Sequence, residues 1–134
     1  MTQQHSSKTI HIVLWVAQIL LALILISGTY LKFMPIEKIS ATMPWTGQIP
    51  ELHVRLLGLI DLVAAVGLVL PSLLRIKPQL TVKAAMGTIA LMISAIIFHI
   101  SRGESSVIVA NLFAIVLAAF VAWGRRKKAP IASK

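Results

Sequence analysis

Cysteine is absent from this chain and acids are scarce, with four Asp and Glu against thirteen Lys and Arg in 134 residues. The first absence rules out a C-x-x-C thiol redox centre and removes every thiolate that could hold zinc or an iron–sulfur cluster. Any sulfur chemistry therefore belongs to a partner. The net charge of +9 does not point to nucleic acid, because the basic residues do not form a patch interleaved with aromatics; they flank apolar runs. Strand alternation is also missing, since the β-branched residues lie among Leu and Ala without a polar residue at every second position, as a membrane barrel requires. There is no internal repeat and no low-complexity tract.

What the chain has is hydrocarbon. Apolar residues make up 57% of it and the mean hydropathy is +0.88, a membrane-protein composition. A bilayer core takes about 20 apolar residues per helical crossing, and such a window fits four times: Ile12 to Leu31, Leu56 to Leu74, Leu80 to Ile100 and Val107 to Trp123. Spans in lipid must pair their own backbone groups, so the chain is predicted to be all-α, a single membrane domain over residues 1–134 forming an antiparallel four-helix bundle. Pro35, Pro44 and Pro50 punctuate the first connection, Pro71 and Pro78 bracket "SLLRIKPQ", and Arg102 with Gly103 opens the third. Pro71 falls inside the second span and is expected to kink it or end it early. Lys8 followed by the run Ile12 to Ile26 resembles the start of a signal peptide, but no A-x-A-like pair follows, so the first span is read as retained.

Cytoplasmic loops carry the excess of Lys and Arg. With the N-terminus inside, the inner side holds nine (Lys8, Arg75, Lys77, Lys83, Arg125, Arg126, Lys127, Lys128 and Lys134) and the outer side four, Lys32, Lys38, Arg55 and Arg102. Both termini are expected in the cytoplasm, the chain lying in a cell membrane, a bacterial inner membrane. Trp15 and Trp123 then sit at inner ends, and Tyr30, Phe33 and Trp45 near the outer face. The run "GRRKK" at 124–128 ends the last span and is expected to face anionic lipid headgroups.

Against this background Asp61 stands out, inside "RLLGLIDLVAAVGLVLP". Taken at i, i+3 and i+4 spacing, it shares a helix face with Gly58, Ala64 and Ala65. His99 shares one with Ala95, Met92, Thr88 and Ala84; Lys32 lies above Gly28, Thr29, Ala22 and Gln18; Asn111 heads Ala114, Ala118 and Ala122. Each polar residue rides a stripe of small residues, where membrane helices approach closely. At 1.5 Å per residue Asp61 lies only about 8 Å, and Asn111 about 6 Å, below the outer ends of their spans, and Lys32 and His99 lie at the outer ends of theirs. The four are predicted to meet in one layer. An intramembrane carboxylate needs a partner: Lys32 is the natural counter-charge, His99 the second choice and Arg55 a less well-placed third. The same cluster could equally be a register lock for the bundle. His5 and His11 are placed on the cytoplasmic side; His53, in the outer connection, is the one histidine able to approach His99, and no metal or haem is expected between them. Glu51 with Arg55 is read as a surface pair.

The segments "SGTYLK" (Ser27 to Lys32), "LLGLIDLVAAVGLVLP" (Leu56 to Pro71), "AAMGTIALMISAIIFH" (Ala84 to His99) followed by "RGE", and the ending "FVAWGRRKK" resemble the DoxX-like family of small four-helix membrane proteins over nearly the whole chain. The most specific matches are Gly28 with Lys32, Gly58 with Asp61, and Ala95 with His99; Asp61 stands where many relatives have Glu. The resemblance implies a site at Lys32, Asp61 and His99 and an association with quinones and membrane redox complexes. A quinone needs an apolar slot and a few donors, which Lys32, His99 and Asn111 supply. The leading expectation is thus a membrane subunit that binds a quinone-like or other lipophilic ligand in the outer half of the bundle. Its electrons would come from a redox partner protein, because the chain shows no cofactor motif of its own. Membrane lipids are expected partners and self-association is left open. The alternatives are a small multidrug-type exporter, disfavoured because Lys32 would neutralise the acid, and a purely structural scaffold.

Overall fold

The computed structural model describes residues 2–133, with side chains from Lys8 to Ser133 other than Ser105; the His5 side chain and Lys134, both used in the sequence reading, lie outside the described residues. Five helices follow one another: α1 (Thr2–Lys32), α2 (Ile36–Thr42), α3 (Glu51–Leu74), α4 (Gln79–Ser101) and α5 (Ile108–Trp123). Helices α1, α3 and α4, and α5 together with the turn that continues it to Lys128, are long and apolar enough to cross a membrane, and no strand occurs among the described residues. The fold is all-helical, as predicted.

The helices start and stop for local reasons. Helix α1 reaches well ahead of Ile12 because no Gly or Pro interrupts residues 2–27. Helices α2, α3 and α4 each begin directly after a proline, Pro35, Pro50 and Pro78, whose missing N–H costs nothing where helix donors are unpaired. Glu37 and Glu51 occupy the first turns of α2 and α3, favourably placed against the helix dipole. Pro71 does not end its span: α3 gives up one backbone bond there and runs on to Leu74, ending at Arg75 in the left-handed region. Helix α5 passes through Trp123 into a π turn, Gly124–Lys128. The wider turn rotates Arg125 into the bundle, so it is 4% exposed while Arg126, Lys127 and Lys128 stay exposed, and the expectation that the whole run faces headgroups fails at Arg125.

Helix α1 packs on α3 and α5, α3 on α4, and α4 on α5, closing a ring. The buried core is mostly alanine (Ala17, Ala22, Ala65, Ala85, Ala114 and Ala118), with Leu21, Leu25, Leu68 and Val121 between them. Contacts of this kind bring backbones close, the packing that works where lipid removes any hydrophobic drive between helices. Many other large side chains point away: Val16, Ile19, Leu23, Val63, Ile97 and Val116 are exposed. In water such a surface would be a large apolar patch; in lipid it is the solvated face.

Candidate functional site

One end of the bundle holds a cavity of about 550 Å³. Lys32 from α1, Asp61 from α3, Ala95 and His99 from α4 and Asn111 from α5 all line it. Thr42, Met43, Pro44, Trp45 and Ile49 from the α1–α3 connection cover it, and Leu57, Leu91 and Met92 supply apolar wall. All four polar residues singled out from the sequence thus border one space, although only two of them touch.

Those two are Lys32 and Asp61, whose Nζ and Oδ2 lie 2.7 Å apart, with side chains 17% and 6% exposed. Two glycines make room for the pair. A Cβ on Gly28 would stand 2.8 Å from Asp61 Oδ2 and 3.3 Å from Lys32 Nζ, and one on Gly58 would stand 2.9 Å from the Lys32 Cβ. The helices are tied at the same level by Thr29, whose hydroxyl lies 3.0 Å from the Gly58 carbonyl and donates to it. Arg55 does not reach Asp61. It caps the end of α1, donating to the carbonyls of Lys32 at 2.8 Å and Met34 at 2.6 Å, and its second nitrogen pairs with Glu51 at the surface.

His99 is not a partner of Asp61 either. Its Nδ1 lies 3.0 Å from Oε1 of Glu104, and because a carboxylate only accepts, Nδ1 donates and Nε2 is left as the basic nitrogen. The contact comes from the way α4 ends. Gly103 adopts φ 74°, the amide of Glu104 bonds the His99 carbonyl at 2.8 Å and that of Gly103 bonds Ile100 at 3.0 Å. This is a Schellman turn, which folds Glu104 back over His99. Arg102 also donates to Glu104, at 3.1 Å, and through its second arm to Gln48, joining the two connections across the mouth. Trp45 and Phe98 stand edge-on to the His99 ring at 6.3 and 5.5 Å.

The hydrogen bonds from His99 and then Arg102 hold Glu104 below its ordinary carboxylate value of 4.5. A depressed folded-state pKa contributes stability that is present above the unfolded value and is lost as pH falls through the folded one. Acidification from pH 5 downward is therefore expected to lower the melting temperature of the parent, and Glu104→Gln, melted over the same range, is expected to lack that component.

Asn111 stands apart. Its Nδ2 is buried and has no hydrogen-bond partner, which costs about 1–3 kcal/mol where nothing satisfies it. His53 is exposed and does not line the cavity. Glu104 was not singled out from the sequence, and Trp45 and Arg102 were named only as an outer-face aromatic and a flanking charge; the one available hint to their meeting at His99 was the "RGE" that follows it.

A bundle of four membrane-crossing helices with a polar-edged cavity near one end defines a small multi-pass integral membrane protein. The profile of the DoxX-like family matches residues 16–121, most of the chain, and the chain belongs to that family. No curated protein and no solved structure matches it.

Proposed function

We propose that the cavity binds a quinone-like or similarly lipophilic carbonyl-bearing ligand, the protein serving as a membrane subunit of a redox or detoxification system. The amide of Asn111 carries this reading: the residue lines the cavity, its Nδ2 has no hydrogen-bond partner within the chain, and a turn of the side chain toward the cavity brings that donor to an acceptor oxygen from outside the chain. The volume, about 550 Å³, falls in the range of small-molecule sites, apolar pockets with a few placed polar groups. Lys32 spends one of its three hydrogens on Asp61, leaving donors for a second ligand oxygen. Trp45 and Phe98 offer ring edges and faces to a flat head. Reduction of a quinone to the quinol takes two electrons, supplied by a redox partner protein, and two protons. Asp61 and the Nε2 of His99, oriented by Glu104, stand at the cavity to pass protons. The Lys32 ammonium, 2.7 Å from Asp61, weighs against a cation exporter, because a cationic cargo would have to displace it from the carboxylate.

Native mass spectrometry of the gently extracted protein tests the reading. The parent is expected to carry a small lipophilic molecule in fixed stoichiometry, and Asn111→Leu, which fills the donor position with hydrocarbon, is expected to fold without it. Retention of nothing by the parent, after mild extraction and addition of a short-chain quinone, would contradict the reading.

In this proposal the four spans are antiparallel, both termini are cytoplasmic and the cavity opens near the outer surface; the distribution of Lys and Arg supports that orientation. The absence of native cysteine makes labelling clean. Ser133→Cys, at an exposed position, is expected to resist an impermeant maleimide in intact cells and to react after lysis, whereas labelling from outside would reverse the orientation.

A further inference from the structure

The opposite end of the bundle holds a second polar centre that the proposed function does not use. Arg125, 4% exposed, donates from Nε to Gln18 Oε1 at 2.6 Å, and from Nη1 to the Ala129 carbonyl at 2.9 Å. It also lies 2.7 Å from His11 Nδ1 and above the Trp15 ring at 5.5 Å. Gln18 is fixed in turn by its amide, which donates to the Leu68 carbonyl at 2.6 Å. Every one of these partners is neutral or an aromatic face. A guanidinium stays charged in a protein, and a buried charge without a counter-charge is costly.

The chain cannot supply a carboxylate side chain here. Its four acids are Glu37, Glu51, Asp61 and Glu104. Asp61 and Glu104 line the first cavity, Glu51 pairs with Arg55, and Glu37 lies on α2 in the connection that covers that cavity. Beside Arg125 there is instead a recess of about 230 Å³, lined also by Ser72, Gln79, Arg126 and Pro130. Ser72, on the wall of the recess, shares a hydrogen bond of 2.6 Å with Thr81, and with Thr81 as its donor the Ser72 hydroxyl hydrogen is free to be given. The first turn of α4, which carries Gln79, contains no acid. The recess is smaller than a site for a drug-sized ligand and suits a compact anionic group.

We propose that this recess binds one phosphate group, with Arg125 as its buried counter-charge and Arg126 as its clamp at the rim. Two sources have that chemistry, the headgroup of an anionic phospholipid and inorganic phosphate. The site is independent of the ligand in the first cavity and of the orientation in the membrane, since both leaflets present phosphates.

The test uses the full chain, delipidated in a neutral, phosphate-free detergent. Its melting temperature and native mass are followed against dihexanoyl phosphatidylglycerol, dihexanoyl phosphatidylcholine, and sodium phosphate compared with chloride at equal ionic strength. Phosphatidylglycerol is expected to bind saturably at one per chain and to raise the melting temperature, and phosphatidylcholine to bind less well because its choline meets a basic end. Arg126→Gln is expected to weaken binding about tenfold, the loss of a charge-assisted hydrogen bond. Lys127→Gln, which removes the same charge outside the recess, is expected to leave it unchanged. That comparison does not depend on Arg125 variants, which are liable to unfold. Equal stabilisation by inorganic phosphate assigns the site to the free anion, and stabilisation by the lipid alone assigns it to the headgroup. No saturable binding of either, or equal weakening by Arg126→Gln and Lys127→Gln, would overturn the proposal in favour of diffuse attraction to the basic run.

Discussion

Asp61→Asn and Lys32→Met are each expected to destabilise the protein by roughly 3–5 kcal/mol, the cost of stranding one charge of a buried pair. The pair is close, at 2.7 Å, and neither partner has a substitute in reach: Arg55 is committed to the end of α1 and to Glu51, and His99 to Glu104. The double variant removes both charges and is expected to recover part of the loss, so a double-mutant cycle read by thermal or denaturant unfolding should be strongly non-additive. The same double variant separates two roles for the cluster. A register lock alone predicts that recovered folding restores function and ligand retention, whereas a binding site predicts a folded protein that no longer holds its ligand. Strict additivity of the two single losses would mean that the pair does not form in the membrane.

Gly58→Leu is the second large effect expected. A Cβ at this position already stands 2.9 Å from the Lys32 Cβ and 2.9 Å from the Phe33 ring. The Phe33 ring is exposed and can swing aside, but the Lys32 Cβ moves only with the backbone of α1. The cost of overpacking is put at about 1–3 kcal/mol. Gly28→Ala is expected to behave differently. Its methyl gains about 0.5–1 kcal/mol of helix propensity but pushes on Asp61 Oδ2, so the ion pair is disturbed more than the fold. Gly87 provides the control, since nothing lies within 4 Å of a Cβ there, and Gly87→Ala should melt at or above the parent. If Gly58→Leu melts like the parent, α1 and α3 do not approach through this face.

Much of this geometry was legible in the sequence, and what was missed has identifiable causes. The four long helices follow from run length and hydropathy, which need no tertiary information. The faces of Lys32, Asp61, His99 and Asn111 follow from helical periodicity and from the small residues beside them. Pairing was harder. Periodicity assigns a face but not a rotamer, so the commitment of His99 to Glu104 stayed hidden: residues five apart do not stack on a helix, and a Schellman turn at Gly103 brings them together. Arg125 was read with its neighbours as a flanking charge because a rule that counts Lys and Arg treats all of "GRRKK" alike. The π turn that rotates one of the four basic residues inward left no mark in composition. Gln18 was placed on the inward face of α1 and His11 ahead of the first span, but without that rotation neither had a partner to be matched with.

The most direct test of the proposed ligand site is an equilibrium titration read at Trp45, which lines the cavity, in a Trp15→Phe, Trp123→Phe background. With a short-chain quinone added to the detergent-solubilised chain, the expected result is saturable quenching at one per chain that Asn111→Leu weakens or abolishes. Quenching that grows without saturation and is the same in Asn111→Leu would contradict the account, because it would show quinone partitioning into the micelle and not a site in the bundle.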